Sequence, residues 1–217
     1  MKQFDLLVFD WDGTLMDSAG AIVMSIQSAC RDLDLPIPSD AASRHIIGLG
    51  LNEALAELLP GLSPSSYGQL VERYRHYFLS QDNEIPLFDG VFEAMQELSE
   101  MGFLMAVATG KSRRGLDRAF DHTETRPFFH ASRCADESFS KPHPGMLLEI
   151  LVELGVSADR ALMIGDTTHD LQMAINAKVP SLGAAYGAHP KQNLVDLEPL
   201  ACLDNFTELH LWLKTNA

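Results

Sequence analysis

The sequence predicts an α/β fold: a doubly wound parallel sheet, interrupted after its first strand by a helical insertion. Three observations predict it. The apolar run Leu6-Leu7-Val8-Phe9 has no polar alternation, which suits a strand buried on both faces. From about residue 91 onward, strand-like and helix-like stretches alternate, which implies parallel strands joined by crossover helices. Between these two regions, residues 17–84 carry helical patterns only.

Each element has its own signal. After Leu15 the apolar residues Ile22, Ile26, Ala29 and Leu33 recur at three or four, one stripe of a helix. Asp17 or Ser18 can cap its start, and Pro36 and Pro38 end it. Ser39 or Asp40 can cap a short helix reaching Ile47, which Gly48-Leu49-Gly50 breaks. Asn52 can cap residues 53–59, and Pro60-Gly61 and Pro64 precede a helix over about 65–80. The stretch Ile85-Pro86-Leu87-Phe88-Asp89-Gly90 reads as a return linker. A helix over 91–101 closes at Gly102, a strand covers 104–108, and a helix begins near Ser112. Residues 128–132 are a strand candidate, and 144–154 a helix between Pro144 and Gly155. A strand at 161–164, a helix over 168–177, a strand candidate at 179–183 and a helix over 206–213 complete the pattern. Residues 1–16 and 85–217 therefore form the α/β core, with 17–84 a four-helix insertion acting as a lid.

A chain of 217 residues fits one large domain, or one domain with an insertion. Its 46% hydrophobic and 21% charged content is ordinary for a globular protein. The formal net charge of −14 argues against nucleic acid or an anionic membrane as partner. An anionic substrate would need a local basic site. Cys30, Cys134 and Cys202 are far apart and lack zinc-ligand spacing. With an odd cysteine count, no apolar leader before Asp10 and no membrane-length apolar run, the expected location is the cytoplasm.

Four places can carry chemistry. The first is Asp10-Trp11-Asp12-Gly13-Thr14-Leu15, directly after the first strand. In open α/β sheets ligands bind beyond the carboxyl ends of strands. Two carboxylates there repel, and a divalent cation or a held proton would compensate them; alone, an Asp-x-Asp-Gly is more often a turn, with Gly13 supplying a positive φ. The second is Thr109-Gly110, a hydroxyl and accessible amides just before a helix start, which suits phosphate. The third is Lys141, set between polar residues and prolines. The fourth is Gly165-Asp166-Thr167-Thr168-His169-Asp170, whose two carboxylates can face one crevice. Asp10, the region of Asp12, Asp166 and Asp170 make an oxygen-rich set without cysteine, the ligand chemistry of Mg²⁺.

In this order the four places resemble the haloacid dehalogenase superfamily over nearly the whole chain, with a layout similar to phosphoglycolate phosphatase-like members. The resemblance implies a Rossmann-like core and an α-helical cap. It also implies a Mg²⁺-dependent phosphatase acting on a small phosphorylated metabolite, phosphoglycolate being the first candidate. Asp10 would be the nucleophile that becomes an aspartyl phosphate, and Asp12 the general acid and base. Mg²⁺ would be held by Asp10, the Asp12 backbone carbonyl and Asp166, with Asp170 orienting a ligand or water. Thr109, the Gly110 amide and Lys141 would hold the phosphoryl oxygens. Trp11 stands where a smaller apolar residue is common. Asp12 favours phosphate transfer, since the superfamily's dehalogenases lack this second Asp. The alternatives are a phosphomutase, which shares all four motifs, and a non-catalytic regulator that binds a phosphorylated metabolite; monomer and homodimer are both open.

Lesser signals complete the reading. Lys111, Arg113 and Arg114 form a basic cluster, with Lys111 a second contact for an anionic substrate. Arg44, His45 and the Gly48-Leu49-Gly50 turn can reach the site from the lid. His169 is expected at the surface, and Glu137 is expected to support Lys141.

Overall fold

A computed structural model describes residues 2–217. Its centre is a six-stranded, all-parallel sheet in the order β3-β2-β1-β4-β5-β6. The strands are β1 (Leu6–Phe9), β2 (Leu104–Thr109), β3 (Ala131–Cys134), β4 (Ala161–Gly165), β5 (Ser181–Ala184) and β6 (Ala201–Leu203). Every residue of β1 is buried, as its unbroken apolar run requires. Leu7 and Phe9 point into one core layer, Leu6 and Val8 into the other, because successive strand side chains alternate faces.

Helices cover both faces. On the Leu7 side lie α5 (Val91–Glu100), α6 (Arg113–Thr123) and α10 (Phe206–Asn216). On the Leu6 side lie α7 (Gly145–Leu154) and α8 (Thr168–Ala177). A short helix α9 (Lys191–Val195) precedes β6. The insertion holds four α-helices: α1 (Ala19–Asp32), α2 (Asp40–His45), α3 (Leu51–Leu58) and α4 (Pro64–Gln81). α1 packs along α4, and Ile22, Ile26 and Ala29, three of the stripe residues, are buried. No helix among the described residues is long and apolar enough to cross a membrane.

Several boundaries differ from the sequence expectations for local reasons. β3 starts at Ala131, because residues from Arg126 to Phe128 form a 3-10 turn with Pro127 near its start. β5 starts at Ser181, after Pro180. α3 begins at Leu51 with Gly50 as its N-cap. Asn52 does not cap it; its side-chain carbonyl accepts the Tyr67 hydroxyl at 3.0 Å. The sequence reading missed β6 and α9, three and five residues long, too short to show a period.

Candidate active site

The register of the sheet assembles the site. Phe9 pairs with Val107 on one side and Ile164 on the other, so the carboxyl ends of β1, β2 and β4 lie together. Asp10 continues the ladder by one bond, its amide donating to the Ile164 carbonyl at 2.9 Å. It thus stands at the strand where the chain order reverses, the usual crevice of such sheets. Asp166 follows the last residue of β4, and Thr109 ends β2. Asp170 arrives from the first turn of α8, where Thr167 and Asp170 cap each other reciprocally. Its Oδ2 accepts the Thr167 amide at 3.0 Å and hydroxyl at 2.7 Å, leaving Oδ1 turned inward. Gly13 has φ of +81°, and a Cβ there would collide with the Asp166 carboxylate. The loop can therefore press against Asp166 only as glycine.

Asp10, Asp166 and Asp170 each offer an oxygen, and the three oxygens lie within 4.8 Å of one another. All three residues are buried, and so is Lys141, whose Nζ lies 2.8 Å from Asp10 Oδ1 and 2.6 Å from Asp170 Oδ1. These are ion-pair contacts without hydrogen-bond alignment: both Asp10 oxygens, Asp170 Oδ1 and the Lys141 ammonium lack a hydrogen-bond partner. Asp166 is better served, accepting the Thr14 hydroxyl at 2.8 Å and the Ala188 amide at 2.7 Å. Burial raises the pKa of both Asp10 and Asp166, with the neighbouring carboxylates adding to both. Burial alone would lower the Lys141 pKa, but Asp10 and Asp170 outweigh it and raise it. The one lysine touches Asp10 and Asp170 but not Asp166, so with all three carboxylates ionised two negative charges are uncompensated. Buried unpaired charge is costly, and a divalent cation offsets it. The all-oxygen donor set fits a hard one.

The Asp12 side chain is not part of this group. Lys111 Nζ holds both of its oxygens, at 2.8 and 3.1 Å, and the Ser18 hydroxyl donates to Oδ1 at 2.7 Å. Lys111 Nζ also sits 4.8 Å from the centre of the Phe78 ring of α4, within cation–π range. Thr109 is buried, and its hydroxyl accepts the Lys111 amide at 3.2 Å. A Cβ on Gly110 would run into the carbonyl oxygens of Gly48 and Leu49, so the insertion's loop lies directly on it. The Gly50 amide donates to the Ser140 hydroxyl at 2.9 Å, tying the same loop beside Lys141. Between insertion and core a cleft of about 510 Å³ remains, with Asp10, Asp12, Thr109, Gly110 and Lys111 among its lining.

The model of the haloacid dehalogenase-like hydrolases matches residues 7–184. The chain belongs to this family. Relatives agree over almost the full length. "Probable phosphatase IndB" of Dickeya dadantii is 34% identical, covering 98% of this chain and 96% of that protein. A phosphoglycolate phosphatase of Agrobacterium fabrum is 30% identical, covering 94% and 90%. Among solved structures, one described as a predicted phosphoglycolate phosphatase from Haemophilus somnus superposes with a TM-score of 0.87. It covers 96% of this chain and 97% of that one at 24% identity, a likeness of fold.

In this haloacid dehalogenase-like hydrolase, the residues singled out by sequence fall in three groups. Asp10, Asp166, Asp170 and Lys141 meet in one buried cluster. Asp12, Thr109, Gly110 and Lys111 line the cleft beside it. Others lie elsewhere. Glu137 does not support Lys141; it accepts two hydrogen bonds from Arg113, at 2.8 and 2.7 Å. Arg113 is thereby tied down, while Arg114 lines the cleft. Of the insertion candidates, Gly48, Leu49 and Gly50 reach the cleft, and Arg44 and His45 are not in its lining. His169 is not a surface residue: it is half-buried, its Nε2 2.8 Å from the His45 carbonyl oxygen. Sequence reasoning missed the support given by Ser18, Thr14, Ser140 and Ala188. Ser18 is the N-cap residue of α1, as its position suggests, but its hydroxyl makes no capping bond and donates to Asp12 instead. Only the polar residues clustered just after Asp12 could have hinted at it.

Proposed function

We propose that this hydrolase is a cytoplasmic, Mg²⁺-dependent phosphatase that cleaves a small phosphomonoester through an aspartyl phosphate on Asp10. The observation that carries the reading is the contrast between two neighbouring carboxylates. Asp10 is buried with both oxygens free of hydrogen bonds, as a nucleophile needs. Asp12 is held beside it by a lysine and a serine on the cleft wall. Its relatives named as phosphatases support the same activity.

Asp10, Asp166 and the Asp12 backbone carbonyl would hold Mg²⁺, with Asp170 orienting its shell. The ion would screen the repulsion between carboxylate and phosphate. A carboxylate oxygen of Asp10 attacks phosphorus, the ester bond breaks, and the leaving oxygen takes a proton from Asp12. Water then attacks the same phosphorus, Asp12 takes its proton, and the Asp10 carboxylate is regenerated as phosphate departs. Thr109, the Gly110 amide and Lys141 stabilise the phosphoryl oxygens as charge shifts onto them. Lys111 moves from the Asp12 carboxylate to the incoming anion, which frees Asp12 to carry the proton. Residues 17–84 act as a cap over the core of residues 1–16 and 85–217 and exclude bulk water.

The test is phosphate release from phosphoglycolate, sugar phosphates and nucleoside monophosphates, with and without Mg²⁺. Release that needs Mg²⁺ and vanishes in Asp10→Asn supports the reading. A folded, Mg²⁺-binding protein that releases phosphate from none of them contradicts it.

A further inference from the structure

The reaction centre accounts for only the floor of the cleft. Cavities of roughly 300–1,000 Å³ hold ligands of drug size, and the cleft here measures about 510 Å³. A phosphoryl group on two carbons would fill little of it. On the insertion's side, apolar side chains with open surface line it beside Asn52 and Glu53: the half-buried Leu49, Leu51 and Tyr74 and the exposed Leu79. Arg75 of α4, in the insertion, and Arg114 of α6, in the core, also line the cleft, and both are exposed.

These two arginines differ from most of the chain's cations. Ten of the sixteen lysines and arginines form ion pairs. Lys111 and Arg118, which also line the cleft, are engaged by Asp12 and Asp82. Arg75 and Arg114 are in no ion pair among the described residues, in a chain with a net charge of −14 that offers many carboxylates. Of the lining carboxylates, Asp10 and Asp12 have lysines and Asp136 accepts the Arg113 amide at 2.8 Å. Glu53 lies by Gly50, at the loop that covers Gly110. Two exposed cations of the cleft lining are therefore left without an ion-pair partner among the described residues.

We propose that the cleft takes a phosphomonoester whose leaving group has an apolar body and a second anionic group, the latter held between Arg75 and Arg114. The inference rests on the phosphatase reading of Asp10 and adds the substrate class to it. The body displaces water from Leu49, Leu51, Tyr74 and Leu79. The distal anion meets guanidinium groups suited to carboxylate and phosphate alike.

Calorimetry with non-hydrolysable phosphonates in Mg²⁺ tests it. Benzylphosphonate supplies the apolar body alone; its 4-carboxy and 4-phosphono derivatives add either distal anion. At least one derivative is expected to bind about fivefold more tightly than benzylphosphonate, a gain typical of exposed ion pairs. The tighter of the two identifies the anion. The gain should shrink with added salt, disappear in the Arg75→Gln/Arg114→Gln double variant and persist in Arg31→Gln, a control outside the cleft lining. Equal binding of all three ligands to the native protein, or a gain that survives in the double variant, overturns the proposal. Turnover separates the two ideas: phosphate release without this preference rejects the subsite alone, and preference without any turnover rejects the phosphatase reading.

Discussion

Asp10 and Asp12 are two residues apart and have opposite surroundings. Asp10 sits among other buried carboxylates with one lysine for company; Asp12 has a lysine and a serine to itself. That asymmetry suits one to attack and the other to handle protons. Asp12→Asn is expected to lower kcat on an alkyl phosphate by roughly 10²–10⁴-fold, the usual worth of a positioned acid or base. A 4-nitrophenyl ester, whose leaving group needs no proton, should lose less in the first step. Comparing the two esters by stopped flow checks this. Thr14→Val removes the hydroxyl that serves Asp166 Oδ1. It should cost about 1–3 kcal/mol of stability, read from urea unfolding. The carboxylates themselves were legible in the sequence, because Asp10-x-Asp12 is followed in order by Thr109-Gly110, Lys141 and Asp166 with Asp170, whereas Asp-x-Asp-Gly alone reads as a turn. Their supports were not. Nothing in the order of residues says that the Ser18 hydroxyl, at the N-cap of α1, donates to Asp12 rather than to its own helix, or that the Ala188 amide returns to Asp166 across 22 positions.

The elements that decide access are the loop between α2 and α3 and its seat on the core. Gly48 and Leu49 place their carbonyl oxygens where any Cβ on Gly110 would lie. Gly110→Ala should push this loop outward, cost about 1–3 kcal/mol, and raise KM more than it lowers kcat. Steady-state kinetics beside thermal unfolding would show both. The other anchor is the end of α2. His189 Nδ1 accepts the Thr168 amide at 3.1 Å, so its Nε2 carries the proton and donates to the His45 carbonyl at 3.0 Å. The His45 and His189 rings stack at 5.3 Å. Burial, aided by nearby His169, lowers the His189 pKa to about 4 against the hydrogen bond to the His45 carbonyl and the Asp170 charge. In the unfolded chain it titrates near 6.5. The unfolded state therefore binds the extra proton first, and stability falls as pH drops from about 6.5 towards 4. His189→Phe should be less stable at pH 7.5 and lack this part of the acid loss, seen as a flatter thermal midpoint against pH. The insertion's four helices were readable from period and proline. Their contact with the core was not, because it depends on backbone carbonyls that every residue has.

Across the whole molecule, most acidic residues lie outside the buried cluster, but the cluster is where a cation would matter most. The net charge is −14, and its costliest part is the buried group of Asp10, Asp166 and Asp170. Two opposite effects are predicted from one substitution. In metal-free buffer, Asp166→Asn should raise the thermal midpoint, because it removes a buried repulsion. In millimolar Mg²⁺ the native protein should gain stability by linkage, and the variant should gain little. Differential scanning fluorimetry with and without chelator reads both. At this scale the parallel sheet was legible from the alternation of strands and helices after residue 91. β6 was not, since three half-buried residues at an edge leave no pattern. The central claim is that Asp10 itself takes the phosphoryl group. The most direct measurement is mass spectrometry of the Asp12→Asn variant, acid-quenched during turnover of 4-nitrophenyl phosphate with Mg²⁺. One added phosphoryl group on the peptide containing Asp10, absent from an Asp10→Asn/Asp12→Asn control, is the predicted result. Phosphate release from that variant with no modified peptide at any quench time would contradict it and point to direct attack by water.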